Sequence, residues 1–223
     1  GELVTSLPIQ ITADTGIDAL THAFEAFVSI FASDYTDGLC LESIKTIFET
    51  LPKVLKSPQS VEFRQSMHNA ATLAGTAFSN ASVGINHAMA HTLGAKFNVP
   101  HGRANGVFLL STISFNSGIP KKFMPFPTYK KYVANKKYVQ IAKLLGCEGQ
   151  DEKVLIEALK VKVKDFLKLC SMPTRVSELN IKLDEYLAEI PSMIEDASRD
   201  LAIRTNPRLP MIEEFQEVLR GAY

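Results

Sequence analysis

From Gln65 to Ala95 the chain carries no Asp, Glu, Lys or Arg. A run of that length without a formal charge points to withdrawal from water, either into a bilayer or into the rest of a folded protein. A membrane span needs about 20 predominantly apolar residues. This run contains Asn69, Asn80, Asn86, three histidines and many Ser and Thr, so it is read as two helices buried in a soluble fold. Ala70, Ala71, Ala74, Gly75 and Ala77 would permit close helix approach within the first of them.

The rest of the 223 residues follows the same helical periodicity. A first helix is expected from about Gly16 to Ile30, with Ile17, Leu20, Phe24 and Phe27 at helical spacing and Asp14 or Thr15 as N-cap. A second starts near Ser33 or Asp34, and Pro52 is expected to end or kink it. The uncharged run divides into a third helix, about Val61 to Asn80, and a short fourth, about Ile85 to Phe97. Asn98-Val99-Pro100 interrupts the chain, and a fifth helix runs from Pro100 or His101 to Ser117-Gly118. Residues 119–135, with Pro120, Pro125 and Pro127, read as irregular. Beyond them Lys and Glu become frequent, and amphipathic helices are expected near 136–145, 151–170, 182–203 and 211–220. Only ELVTSLPIQI, near the start, reads as extended, and no hairpin or alternating β-α pattern occurs. The expected class is all-α: one domain over 1–223, with two subregions, 1–118 and the amphipathic packing helices of 136–223.

A balanced charge (24 Lys and Arg against 24 Asp and Glu) gives no reason to expect a nucleic-acid or anionic-membrane partner. Cys40, Cys147 and Cys170 are far apart and form no C-x-x-C pair, which suits reduced thiols in a cytosolic protein. GELVTSLPIQ lacks a basic segment followed by an apolar one, so no secretory leader is expected and the location is read as cytoplasmic. No G-x-S-x-G elbow, G-x-G-x-x-G turn or P-loop is present.

The chemistry concentrates in two short segments. Asp18 and His22 lie in TGIDALTHAFEA, four residues apart and therefore on one helix face. His87, His91 and His101 lie in GINHAMAHTLGAKFNVPHG, the first two again four apart and the third just beyond a short turn. Four of the five histidines thus fall in these segments. A carboxylate with imidazoles is a donor set that divalent transition metals accept. Taken alone, Asp18 and His22 also fit an ordinary helix in which the acid orients the ring. His68 has no such company and reads as structural or exposed.

TGIDALTHAFEAFVS together with GINHAMAHTLGAKFNVPHGRANG closely resembles the two signature regions of the iron-containing (group III) alcohol dehydrogenases. The tail NPRLPMIEEFQEVLRGAY resembles the end of the alcohol dehydrogenase half of bifunctional aldehyde–alcohol dehydrogenases. The resemblance implies that Asp18, His22, His87 and His101 are metal ligands. It implies that His91 lies close to nicotinamide and substrate, a catalytic and cofactor-binding position. Ala88 stands where many relatives have Gly, and Arg103 where many have an apolar residue. The implied cofactors are Fe(II), with Zn(II) as a possible substitute, and NAD(P) in the full-length enzyme. The implied activity is reversible hydride transfer between a primary alcohol or aldehyde and NAD(P). The family's N-terminal α/β cofactor domain has no counterpart in these residues, so the chain is expected to be the C-terminal helical domain. The alternative is a catalytically incomplete module that binds metal or supports homo-oligomer assembly.

Overall fold

The computed structural model describes residues 1–120 and 131–223. Among them the regular elements are helical: α1 (Ile9–Val28), α2 (Asp34–Lys56), α3 (Val61–Ala81), α4 (Ile85–Phe97), α5 (His101–Ser117), α6 (Ala134–Leu144), α7 (Glu152–Leu169), α8 (Leu183–Arg199) and α9 (Ile212–Gly221), with short 3-10 turns between some of them. The all-α expectation holds, and α4 and α5 fall where the sequence places them. No helix among the described residues is long and apolar enough to cross a membrane. The central part of the 119–135 segment, with Pro125 and Pro127, lies outside the described residues.

Three expectations need correction. The first helix begins at Ile9, not near Gly16, and Asp14 and Thr15 lie inside it rather than at its cap. ELVTSLPIQI is therefore not extended: a 3-10 turn over Glu2–Val4 leads into α1. Buried Arg64 on α3 holds this entry, donating to the Leu7 carbonyl at 3.1 Å and the Thr12 hydroxyl at 2.6 Å. Of the two outcomes expected at Pro52, an end to the helix does not occur, since α2 runs on to Lys56. The uncharged run is buried only in part. α4 is buried over Ile85–Ala90 and at Thr92 and Leu93, but α3 buries only a stripe of Ala70, Ala74, Ala77 and Ala81 and exposes Gln65, Asn69, Thr72 and Thr76. Small polar side chains keep that face solvated without charge. His68 is exposed as well.

Apolar residues form two clusters. One gathers α1, α2, α3, α6 and α7 around Phe24, Phe27, Ile44, Leu51 and Tyr138. The other gathers α4, α8 and α9 around Met89, Leu93, Tyr186, Met193 and Phe215. Helix α5 belongs to both, giving Leu109 and Ile113 to the first and Val107 and Phe108 to the second. Both clusters draw residues from either side of the 119–135 segment.

Two close contacts set the position of α4 and α5. A Cβ on Gly102 would lie 2.0 Å from the Asp14 carbonyl oxygen, and one on Gly106 would lie 3.2 Å from Ile17. These glycines, one turn apart on α5, let its backbone lie against α1. The second contact is the start of α4. The first amide groups of a helix have no partner within it. Here Ile85 N–H donates to Asn206 Oδ1 at 3.2 Å, Asn86 N–H to Glu25 Oε1 at 2.7 Å and His87 N–H to Glu25 Oε2 at 3.2 Å. Glu25 is buried on α1, and its negative charge suits the positive end of the α4 dipole. Gly84 leaves room for both acceptors, since a Cβ there would come within 2.6 Å of Asn206 and 2.8 Å of Glu25.

Three substitutions test this packing, each read as a denaturant midpoint. Gly102→Ala should cost about 1–3 kcal/mol or more, because the new methyl meets backbone. Gly75→Ala, where nothing lies within 4 Å, should instead stabilise α3 by about 0.5–1 kcal/mol. Equal effects of the two would refute the close-approach role of Gly102. Glu25→Ala should cost at least about 1–3 kcal/mol by leaving buried amides unpaired.

Candidate metal centre

Helices α1, α4 and the start of α5 bring the two sequence segments together. Asp18 and His22 stand on α1, His87 and His91 on α4, and His101 is the first residue of α5. One donor atom from each of Asp18, His22 and His87 lies within 4.8 Å of the other two. His101 joins them from α5, its Nε2 3.3 Å from Asp18 Oδ1 and its ring centroid 5.3 Å from that of His87. His22 packs between the rings of Phe78 and His87, each at 4.3 Å.

The hydrogen bonds on the far side of each ring decide what the near side can do. His87 Nδ1 lies 2.5 Å from Glu25 Oε2, a carboxylate that only accepts, so the proton sits on Nδ1 and Nε2 keeps its lone pair, 3.2 Å from the Asn105 amide nitrogen. His22 Nδ1 donates to the Asp18 backbone carbonyl at 2.8 Å, which likewise leaves Nε2 as the free donor atom. Burial lowers the pKa of His22, His87 nearby lowers it further, and Asp18 opposes both. Burial also lowers that of His101, opposed by Asp18 and reinforced by His87 and His91. Both rings therefore favour the neutral form, which is the one that coordinates a metal. The set fits a divalent cation: one carboxylate and three imidazoles, with carboxylate and carbonyl groups behind two of the rings, as metal-binding histidines commonly have.

His91 stands apart from this group. Its ring lies 6.1 Å from His87 and is stacked on His101 at 5.2 Å, and its side chain is 45% exposed. Its Nδ1 lies 2.5 Å from Asp200 Oδ2. Burial raises the Asp200 pKa, but hydrogen bonds from His91 and the Ala202 amide outweigh it, and the carboxyl sits below its ordinary value. Arg103 pairs with Asp14 at 2.9 Å rather than with any of the histidines.

Four residues near the site escaped the sequence reading. Glu25 follows Asp18 and His22 at the i+7 and i+3 positions, so a polar stripe on an otherwise apolar helix was there to be seen. Asn105 stands one turn after His101 and reaches Asp18 Oδ1 at 2.7 Å. Asp200 and Asn206 come from far along the chain, and no local pattern marks them. The three cysteines are free, and burial pushes the Cys40 and Cys170 thiols up to about 12, which leaves them no thiolate character at neutral pH.

Comparison with known proteins identifies the family. Residues 12–223 match the family model described as Fe-containing alcohol dehydrogenase family, C-terminal. A 1-propanol dehydrogenase of Salmonella typhimurium is 41% identical over 220 residues, covering 98% of this chain and 56% of that protein. Aldehyde-alcohol dehydrogenase 2 of Entamoeba histolytica is 38% identical over 218 residues, covering 98% of this chain and 25% of that protein. Among solved structures, a 1,3-propanediol oxidoreductase superposes with a TM-score of 0.85 at 30% identity, over 98% of this chain and 53% of its own. An iron-containing alcohol dehydrogenase from Thermococcus thioreducens gives 0.82 at 32% identity, over 98% and 52%. The chain thus spans about half of these relatives or less, over their C-terminal part, and it belongs to the iron-containing alcohol dehydrogenase family.

Proposed function

We propose that this chain is the metal-bearing half of an alcohol dehydrogenase that moves hydride reversibly between a small primary alcohol or aldehyde and NAD(P). Asp18, His22, His87 and His101 are the ligands, and Fe(II) is the expected ion. Zn(II) accepts the same donors and stands above Fe(II) in affinity, so it can replace iron in a purified sample. The observation that carries the reading is the convergence of donor atoms from Asp18, His22 and His87 within 4.8 Å of one another, with the His87 ring fixed by Glu25 at 2.5 Å and His101 Nε2 3.3 Å from Asp18.

A divalent metal held there supplies Lewis acidity toward the oxygen of the alcohol or aldehyde. The protein's own groups do the remaining work. Asp18 contributes the one negative charge among the four ligands, so the loaded site retains a positive charge that favours an alkoxide. The neutral imidazoles add no charge of their own. His91 stands at the open side of the cluster, half-exposed, with Asp200 holding the proton on Nδ1. Its Nε2 is then the atom able to take or return a proton at the substrate, and its ring face can pack against the nicotinamide. The nicotinamide carrier would be bound chiefly by the part of these enzymes that residues 1–223 do not match. The substrate class rests on the relatives, named for 1-propanol, butanol and aldehyde–alcohol conversions.

The chain should bind a single Fe(II) or Zn(II), measured by elemental analysis after dialysis. His87→Ala and His101→Ala should each abolish occupancy, and full occupancy in both would overturn the ligand set. In the complete enzyme His91→Ala should retain the metal and lose most of the aldehyde reduction, measured as oxidation of NADH or NADPH. Undiminished turnover would remove His91 from the chemistry.

A further inference from the structure

We infer that Asn105 is a positioning residue that presets the Asp18 carboxylate and the imidazoles of His87 and His101 for the metal. The inference rests on reading those residues as ligands. Asn105 is fully buried. Its amide nitrogen lies 2.7 Å from Asp18 Oδ1, 3.2 Å from His87 Nε2 and 3.1 Å from His101 Nε2. It touches a candidate ligand atom from each of the three helices.

The orientation of this amide is dictated by its neighbours. The Asp18 carboxylate only accepts, so the NH2 end of Asn105 must face it. The carbonyl end then faces Asn86, whose Nδ2 donates to Asn105 Oδ1 at 2.9 Å and to the Asn105 backbone carbonyl at 3.1 Å. Asn86 is held in turn by the Thr112 hydroxyl, which donates to its Oδ1 at 2.9 Å. Asn86 and Asn105 are fully buried and Thr112 nearly so, and the chain of bonds runs without a gap from α5 through α4 to Asp18 on α1. A buried network whose members are all satisfied is stiff, because any rotation leaves a polar group unpaired in a medium of low dielectric. Two N–H bonds serve three acceptors here, so the donor competes for lone pairs on the imidazoles and can release them while keeping Asp18. Its role is to hold a carboxylate and two imidazoles close together before the cation arrives.

Zn(II) titration of the purified chain, with a competing chromophoric chelator, tests this. Asn105→Ala removes the amide. Asn105→Ser leaves a hydroxyl to accept from Asn86 but one too short to reach Asp18, so the neighbouring amide stays satisfied and the fold is spared. Both should weaken Zn(II) binding by about 10–100-fold, the range for loss of groups that orient metal ligands. The far-ultraviolet circular dichroism of the metal-free proteins should be unchanged. Zn(II) affinity within about two-fold of the parent in a folded variant would overturn the inference. His87→Ala separates the two readings: if it still binds Zn(II) tightly, the ligand set is wrong. If it loses Zn(II) while both Asn105 variants retain it, only the role of Asn105 falls.

Discussion

The carboxylate of Glu25 is the group on which the rest of the site depends. It is buried on α1, and its two oxygens take the Asn86 and His87 amides and the His87 ring. A buried carboxylate left alone would be costly, and three donors with a helix dipole offset that cost. The same bonds do structural and chemical work. The amides fix where α4 begins, and the bond to Nδ1 fixes which nitrogen of His87 is left to act as a donor. A helix start and an imidazole tautomer are therefore set by one side chain. Neither can shift without unpairing the other.

A metal site built from three helices needs those helices at a fixed separation, and glycine supplies it on one side. Gly102 and Gly106 bring α5 against α1, so His101 comes within reach of Asp18. On the other side the α4 start is held by Glu25 from α1 and by Asn206 from the tail. Asn206 also exchanges amide bonds with Asn116 near the end of α5, at 3.0 and 2.9 Å. The tail is thus part of the frame that aims the histidines. Placing ligands on packed helices rather than on loops limits how far they can move, which is what a site of fixed geometry requires.

Much of this was legible in the sequence, and the unreadable part has a physical pattern. Helical spacing found α4 and α5 and put Asp18 beside His22, because those are relations of neighbouring turns. It misplaced the start of α1, where Arg64 holds the entry from fifty residues away. The uncharged run was read as burial, but on α3 small polar residues solvate an exposed face just as well. Asp200 and Asn206 carry no local signal, since their partners lie on α4 and α5. Glu25 was within reach of the same periodicity that found His22. In sequence alone an acid in the middle of an apolar helix does not differ from a surface glutamate; its burial is what sets Glu25 apart.

The four histidines of the cluster divide by what stands behind them. His22 and His87 turn Nδ1 to a carbonyl or carboxylate on α1, are buried or nearly so, and point their other nitrogen inward. His101 has no such anchor and is placed by its helix start and by Asn105. His91 is tied to Asp200, on the second apolar cluster's side of the site, and its ring remains open. The spacing of four between His87 and His91 would equally suit two ligands of one metal. What separates them is their partners: Glu25 draws one ring into the α1 interface, and Asp200 draws the other outward over His101. That difference in anchoring, absent from the spacing itself, gives two imidazoles of one short helix different surroundings: one is enclosed beside Asp18, His22 and His101, and the next is half-exposed beside Asp200.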